Sequence, residues 1–285
     1  MIPGPARAAA RALGAGAAAA APLAGGDINR ALRLALDDGR VAFVKYRADP
    51  PPGMFRAEAD SLARLRAAGI ADLRFPDVLA VDEGFLALEW IEQAPPAADR
   101  DERLGRGLAA LHAHPQPAFG GPRDGCLATL PLPNDPLPTW PEFYAARRLE
   151  PLVRAGVDTG ALDPGCARLM ERLRARLPEL LGPPEPPALL HGDLWAGNAM
   201  TGPAGEPVLV DPAAYAGHRE VDLAMMDLFG GFSSRVHAAY DEVHPRAPGH
   251  GERLPLYRLF PLLVHAVLFG GGYGRRAERI LARHA

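Results

Sequence analysis

Three polar side chains in the second half of the chain have the types and the spacing that phosphoryl transfer requires. Asp193 lies within the run HGDLWAGN at 191–198, Asn198 ends that run, and Asp211 follows the apolar segment 208–210. Asp193 can accept a proton from a hydroxyl group, while the oxygens of Asn198 and Asp211 suit Mg²⁺, a hard cation. Phosphoryl transfer asks a protein mainly to position the acceptor and to neutralise charge. The set therefore predicts a phosphoryl-transfer site.

The same layout is typical of kinase catalytic loops, where an Asp base, four intervening residues and an Asn precede a metal-binding Asp on the next strand. The alternative is a hydrogen-bonded turn whose polar side chains only cap the backbone. Each side chain taken singly fits the structural turn about as well as it fits a catalytic role, whereas the ordered set of three favours a kinase. We therefore predict that Asp193 is the catalytic base and that Asn198 and Asp211 hold Mg²⁺.

Lys45 is a candidate for binding the phosphate groups of ATP. It lies on a predicted strand, 41–46, in a chain that has few lysines. A lysine on a strand can reach phosphate oxygens, and Glu58 on the following helix can hold it by an ion pair. The alternative is a surface lysine and a solvated helix glutamate. The order of Lys45 and Glu58 ahead of the Asp193 motif favours the phosphate-binding role.

The segment 25–29, GGDIN, is a candidate phosphate loop between two predicted strands. Backbone amides of Gly25, Gly26 and Asn29 can approach nucleotide phosphates there. An ordinary turn accounts for two adjacent glycines equally well. The segment is not a Walker loop, because the Gly-Lys-Ser/Thr ending is missing.

Residues 89–91, EWI, are candidates for binding the adenine base. They end a second predicted strand pair, directly before a connector rich in Pro and Ala at 93–98. The backbone amides and carbonyls of Glu89, Trp90 and Ile91 can hydrogen-bond the edge of an adenine ring. Exposed strand backbone occurs in any fold, so this assignment depends on the predicted fold.

Further residues around the motif are candidates for contact with the acceptor. Trp195 lies inside the catalytic run, where it can form a wall for a sugar or belong to the core. His218 and Glu220 cluster with other charged residues beyond Asp211, and we predict that they contact the substrate. Asp222 starts an apolar helix, and it fits the role of an N-terminal cap at least as well as that of a substrate contact.

Composition narrows the class of protein. The chain of 285 residues is long enough for one large domain or two lobes, and its net charge of −3 gives no basic footprint for nucleic acid. Its two cysteines, Cys126 and Cys166, favour a reduced setting over a disulfide framework.

The Ala/Gly run 15–21 lacks the larger apolar residues of a signal peptide, and no apolar stretch approaches the ~20 residues that span a bilayer. We expect a cytoplasmic monomer without nucleic-acid or membrane partners.

Hydrophobic periodicity and turn residues predict an α+β protein with two lobes. Residues 1–92 form a small β-rich nucleotide-binding lobe, and 93–285 form a larger, mainly helical lobe for catalysis and substrate binding. From 142 onwards the pattern is mostly helical, interrupted by a strand pair around Asp193 and Asp211. The other predicted elements are helices at 6–13, 55–68 and 103–112, strands at 17–23, 31–36, 41–46, 75–81 and 85–91, and an irregular segment at 120–141.

Several segments together resemble the fructosamine kinase (ketosamine kinase) family. The His-Gly-Asp loop alone fits any aminoglycoside- or choline-kinase-like enzyme, whereas Trp195 and the run GHREVD at 217–222 favour fructosamine kinases. Some relatives carry a cysteine in the glycine loop that makes a redox-sensitive disulfide dimer, and 25–29 contains no thiol. The segments that carry the resemblance are 25–29, 43–45, 191–198, 211–213, 217–225, 228–232 and 268–270.

The resemblance implies a protein-kinase-like two-lobed fold and ATP-dependent phosphorylation of a sugar hydroxyl of ketoamines. This is a deglycation activity, because the phosphorylated adduct becomes unstable and releases the amine. Carried over, Asp193 is the proton acceptor, Asn198 and Asp211 hold Mg²⁺, Lys45 contacts the ATP phosphates, and 89–91 form the adenine-binding connector.

Two other hypotheses remain open at this stage. The first is a phosphotransferase that acts on an aminoglycoside, choline or a related hydroxyl. The second is a non-catalytic, nucleotide-binding protein of kinase shape. The presence of Lys45, Asp193, Asn198 and Asp211 argues against the second hypothesis, because a pseudokinase usually lacks at least one of these groups.

Overall fold

The computed structural model describes residues 2–24 and 28–285. The strands are β1 (Ala17–Leu23), β2 (Arg30–Leu36), β3 (Val41–Tyr46), β4 (Val78–Asp82), β5 (Phe85–Glu89), β6 (Gly125–Leu127), β7 (Leu130–Leu132), β8 (Ala188–Leu190), β9 (Ala199–Thr201), β10 (Pro207–Leu209) and β11 (Tyr215–Gly217). The helices are α1 (Gly4–Ala12), α2 (Met54–Ala67), α3 (Arg100–Ala113), α4 (Trp140–Phe143), α5 (Glu150–Asp158), α6 (Cys166–Leu180), α7 (Glu220–Phe229), α8 (Ser234–Val243), α9 (His250–Phe269) and α10 (Gly272–His284). A π-helical segment, Tyr144–Leu149, joins α4 to α5, and a 3₁₀ turn, Ala196–Asn198, precedes β9.

The first five strands form one antiparallel sheet in the order β1-β2-β3-β5-β4. Side chains of a strand alternate between the two faces of a sheet. In β3, Ala42 and Val44 therefore belong to the core shared with α1, while Phe43 packs against the core shared with α2. Lys45 stands two residues from Phe43, so the alternation places it on the α2 side of the sheet.

Helix α2 packs on that side through a stripe of apolar residues. Phe55, Leu62 and Leu65 are buried and recur at helical spacing. Glu58 comes one turn after Phe55 and so lies next to the same stripe. Gly69 has φ +64, a left-handed conformation that suits glycine just beyond the end of a helix. The helix therefore fixes Glu58 against the sheet.

The rest of the chain is mainly helical and has its own apolar core. Fully buried members of this core include Phe143, Tyr144, Leu173, Tyr257 and Leu263, which come from four helical segments. Two short antiparallel ladders, β8 with β11 and β9 with β10, carry the predicted catalytic motif. In the described residues, no helix has the length and apolar character needed to cross a membrane.

The predicted α+β class is confirmed, since a β-rich N-terminal part is followed by a helical part. The boundary after residue 92 stays a prediction. The segment 120–141 was predicted as irregular, but it contains the hairpin β6–β7, with Leu127 and Leu132 buried. The sequence offers no Asn-Gly or Asp-Gly signal at this turn, and Ala128 itself takes the left-handed φ of 56°.

Candidate active site

The predicted catalytic run, residues 191–198, starts where β8 ends, and its conformation depends on one glycine. Gly192 has φ +84, and a Cβ built on it would lie 2.1 Å from the carbonyl oxygen of Ala213. That distance is impossible for a real side chain, so only glycine allows the two segments to approach. Ala213 in turn donates its backbone N–H to the carbonyl of His191 at 2.9 Å. The loop of Asp193 is thereby fixed against the segment that follows Asp211.

Asp222 anchors the backbone of the catalytic run from below. Its carboxylate is buried and accepts the backbone N–H groups of His191 at 2.7 Å and Gly192 at 3.0 Å, and it contacts Nε2 of His112 at 3.2 Å. Burial opposes the charge of Asp222, but the hydrogen bonds from His112 and from the backbone N–H of Gly192 keep its pKa below the ordinary value. The sequence suggested that Asp222 caps α7, but the cap position of this helix is Arg219. Asp222 instead positions the catalytic run. This role was not predicted from the sequence, where only the apolar neighbours in 221–226 indicated burial.

His191 braces the same loop by two hydrogen bonds. Its Nε2 donates to the carbonyl of Val210 at 3.0 Å, and its Nδ1 accepts the backbone N–H of Asp193 at 3.3 Å. Burial lowers the pKa of His191, so the neutral ring is favoured. The imidazole thus connects Asp193 to the strand that leads to Asp211.

Asp193 and Asn198 are hydrogen-bonded to each other. The amide group of Asn198 lies 2.9 Å from the backbone carbonyl and 3.1 Å from Oδ2 of Asp193. Because a carbonyl can only accept, the contact assigns the NH₂ group of Asn198 to this side and leaves its Oδ1 available for a cation. Burial, followed by the charge of Asp211, raises the pKa of Asp193 to about 7.

Lys45 joins the sheet, helix α2 and the loop after β10. Its Nζ lies 2.8 and 2.9 Å from the carboxylate oxygens of Glu58 and 2.7 Å from Oδ1 of Asp211. The ion pair predicted between Lys45 and Glu58 is therefore present. Burial disfavours the ammonium, but Asp211 and Glu58 hold the pKa of Lys45 above its ordinary value. Lys45 is also the only lysine in the sequence.

The conformation of Asp211 aims its carboxylate at this cluster. Its φ of 55° is left-handed, which is uncommon for a residue with a side chain and is better tolerated by Asp than by most others. One carboxylate oxygen contacts Lys45, and the side chain is 44% exposed. Oδ2 of Asp211 and Oδ1 of Asn198 supply two oxygen donors. This set fits Mg²⁺, which is usually bound by one or two protein oxygens together with substrate phosphates.

A cavity of about 1190 Å³ lies between the sheet and the helical part. Single small-molecule sites typically enclose roughly 300–1,000 Å³, so this one has room for a nucleotide and an acceptor together. Most of the residues predicted for the site line it: Asn29, Lys45, Glu58, Glu89, Trp90, Ile91, Asp193, Trp195, Asn198 and Asp211.

The residues predicted to bind adenine, 89–91, line the cavity. The side chain of Glu89 pairs with Arg74, and the indole N–H of Trp90 donates to Glu92 at 2.7 Å. These contacts occupy the two side chains, in keeping with a role for the backbone of 89–91. The predicted phosphate-binding residues Gly25 and Gly26 lie outside the described residues, as does Asp27.

The structure does not bring His218 and Glu220 to the cavity, contrary to the prediction. His218 is buried and stacks on the ring of Tyr257, with ring centroids 5.0 Å apart. Glu220 is fully buried, and its Oε2 accepts Nε of Arg253 at 3.0 Å. Both belong to a buried ionic cluster behind the catalytic run, so their charged types in sequence reflected internal pairing and not contact with substrate.

Comparisons with known proteins identify relatives of the whole chain. The model of the fructosamine kinase family matches residues 2–285. A probable ketoamine kinase of Thermus thermophilus is 42% identical over 256 residues, which cover 89% of this chain and 89% of that protein. A crystal structure of a fructosamine-3-kinase candidate from Thermobifida fusca is 41% identical, with a TM-score of 0.89, and the match covers 99% of this chain and 100% of that one.

A more distant comparison confirms the predicted kinase-like fold. The structure of a macrolide 2'-phosphotransferase type I matches with a TM-score of 0.60 at 16% identity, covering 98% of this chain and 95% of that one. At this identity the likeness concerns the fold alone. The family match and the relatives that align along most of the chain are more specific, and they agree with each other. The chain belongs to the fructosamine kinase family.

Proposed function

We propose that this protein transfers the γ-phosphoryl group of ATP to a sugar hydroxyl of a ketoamine. Membership of a kinase family implies the use of ATP, and the name of the Thermus thermophilus relative supports a ketoamine acceptor. The observation that carries the proposal is the cluster of Lys45, Glu58 and Asp211 in the same cavity as Asp193. Such a cluster provides a cation for phosphate oxygens next to a group that can accept a proton.

In the proposed reaction Asp193 accepts the proton of the attacking hydroxyl. The hydroxyl oxygen forms a bond to the γ-phosphorus, the bond from that phosphorus to the bridging oxygen breaks, and ADP leaves with the bonding electrons. Asn198 holds Asp193 in place by its amide group. Partial burial, together with the charge of Asp211, raises the pKa of the carboxylate to about 7, which matches a base that works near neutral pH.

Asn198 and Asp211 are the residues proposed to hold Mg²⁺. When bound, the ion neutralises charge on the nucleotide phosphates. The ion pair with Lys45 orders one oxygen of Asp211.

An assay of ATP consumption tests the proposal. The full chain is mixed with Mg²⁺, ATP and one acceptor at a time: fructoselysine, ribuloselysine, an aminoglycoside or choline. We expect turnover with at least one of the two ketoamines and none with the other acceptors. Turnover only with the aminoglycoside or choline would replace the proposed acceptor, and nucleotide binding without turnover on any acceptor would leave a kinase-shaped binding protein.

We also propose that the protein works in the cytoplasm as a monomer, without nucleic-acid or membrane partners. The two cysteines support a reduced setting, because Cys126 and Cys166 are both free thiols. The net charge of −3 supports the absence of nucleic-acid binding. Light scattering of the purified chain would test the oligomeric state, and a mass twice that of the 30.3 kDa chain would contradict it.

A further inference from the structure

One side of the cavity is bordered by a continuous group of rings. Their centroids are 6.4 Å apart for Trp195 and Phe229, 4.8 Å for Phe229 and His265, 5.6 Å for His265 and Phe269, and 5.1 Å for His265 and Tyr273. All five side chains line the cavity. We call this group the aromatic wall. Four of its members come from α7, α9 and α10, far in sequence from the catalytic run.

His265 occupies the centre of the aromatic wall and offers a hydrogen-bond acceptor. Its Nδ1 lies 2.8 Å from the carbonyl oxygen of Pro261. Because a carbonyl only accepts, the proton belongs on Nδ1, and in the neutral ring Nε2 carries a free lone pair. Burial lowers the pKa of His265, which favours this neutral form. The wall therefore combines aromatic rings with one acceptor.

The charges around the cavity select a cation at this wall. Apart from His265, Lys45 is the one basic side chain among the described residues that line the cavity, and its charge is balanced by Glu58 and Asp211. Asp193 lines the same cavity. Aromatic rings attract cations through their electron-rich faces, and the attraction grows when water is displaced. A ligand group with a positive charge and an N–H donor fits all of these features.

We propose that the aromatic wall binds the protonated amine of the ketoamine, with Nε2 of His265 accepting its N–H and the four other rings surrounding the charge. This inference rests on the proposed function and names the part of the acceptor that the wall recognises. Trp195 is 41% and Phe269 48% exposed, so these two rings lie at the mouth of the cavity. We therefore place the exit for the substituent on the amine at these two exposed rings.

Calorimetric binding of two probes to the full chain tests the inference. One probe is a fructosylated lysine peptide, and the other is its ether analogue, in which oxygen replaces the amine and removes both the charge and the N–H donor. We expect the amine probe to bind about tenfold or more tightly than the ether probe. Phe269→Leu keeps an apolar side chain but removes a ring, and it should reduce this ratio about threefold or more.

Leu79→Ala is the matched control, because Leu79 is 43% exposed and is not among the residues that line the cavity. It should leave the ratio unchanged. Tyr273→Leu provides a second ring deletion if Phe269→Leu does not fold. Equal affinity for the two probes, no binding of either, or an unchanged ratio in the folded ring variants would overturn the inference. Selective binding of the amine probe without phosphoryl transfer would uphold the wall and contradict the proposed function, so the two failures are distinguishable.

Discussion

At the scale of single residues, the environment that raises the pKa of Asp193 for catalysis also lowers the stability of the folded protein near neutral pH. The carboxylate of Asp193 is held by Asn198 in a partly buried position close to Asp211, and its pKa is raised from 3.8 to about 7. A raised pKa means that the folded protein favours the protonated form. Its contribution to the free energy of unfolding therefore decreases as the pH rises from about 4 to about 7.

Asp193→Asn should lower kcat by about 10²–10⁴-fold, because the variant cannot accept the hydroxyl proton. The same change should raise the free energy of unfolding at pH 8 by about 1–3 kcal/mol, because an uncharged amide replaces a partly buried carboxylate that lies close to Asp211. Steady-state rates and urea unfolding of the same preparation measure both effects. A variant with the wild-type kcat would remove Asp193 from the role of base.

The pH dependence of kcat/KM gives a second prediction at this scale. Asp193 must be ionised to accept a proton, so kcat/KM should fall as the pH is lowered through about 7, by up to about tenfold per pH unit below it. Initial rates between pH 5 and 9, with stability checked at each value, measure the profile. A profile that is flat down to pH 5 would contradict the raised pKa.

At the scale of secondary-structure elements, the catalytic run depends on α7. Asp222 lies in the first turn of that helix. Its carboxylate accepts the backbone N–H groups of His191 and Gly192 in the catalytic run. Removing one partner of a buried charged hydrogen-bond network leaves the other groups unpaired. The ordering of the loop is therefore a property of the helix packed behind it.

Asp222→Ala should lower the free energy of unfolding by about 3–5 kcal/mol, because two backbone N–H groups and His112 lose their acceptor in a buried site. Asp222→Asn, which retains one acceptor oxygen, should cost less. Urea unfolding of the three proteins gives the ranking. A cost below about 1 kcal/mol for the alanine variant would show that the loop does not need this anchor.

Sequence patterns predicted the elements that follow local rules and missed those that depend on distant contacts. Strands β1 and β3 have the predicted bounds, and α2 is shifted by one residue at each end. The strand predicted at 75–81 begins only at Val78, and Arg74, upstream of it, pairs with Val208 of β10 outside the sheet. The local sequence does not predict such a distant pairing partner. It also contains no pattern that predicts the hairpin β6–β7.

At the scale of the whole molecule, one ionic cluster joins side chains from both parts of the chain. Lys45 comes from the sheet, Glu58 from α2 and Asp211 from the loop after β10. The order of these residues and their chemical types in a kinase pattern predicted that they would meet. The burial of His218 and Glu220 was not predictable in this way, because charged residues next to a motif look alike whether their partners are internal or external.

Because Lys45 is the only lysine, its environment can be read by amine labelling and mass spectrometry. Its pairing with Glu58 and Asp211 keeps the amine protonated, so acylation at pH 8 should be at least about tenfold slower than in the unfolded chain. Glu58→Gln should speed the labelling of the folded protein, and ATP with Mg²⁺ should slow it again. Labelling as fast as in the unfolded chain would contradict the buried cluster.

The most direct test of the central claim is detection of the phosphorylated product. The wild-type chain and Asp193→Asn are incubated with ATP, Mg²⁺ and a fructoselysine or ribuloselysine peptide, and mass spectrometry records the peptide. We expect one added phosphate on the sugar for the wild type and almost none for the variant, with ADP formed in equal amount. No phosphorylated sugar from the folded wild-type protein on either ketoamine would contradict the account.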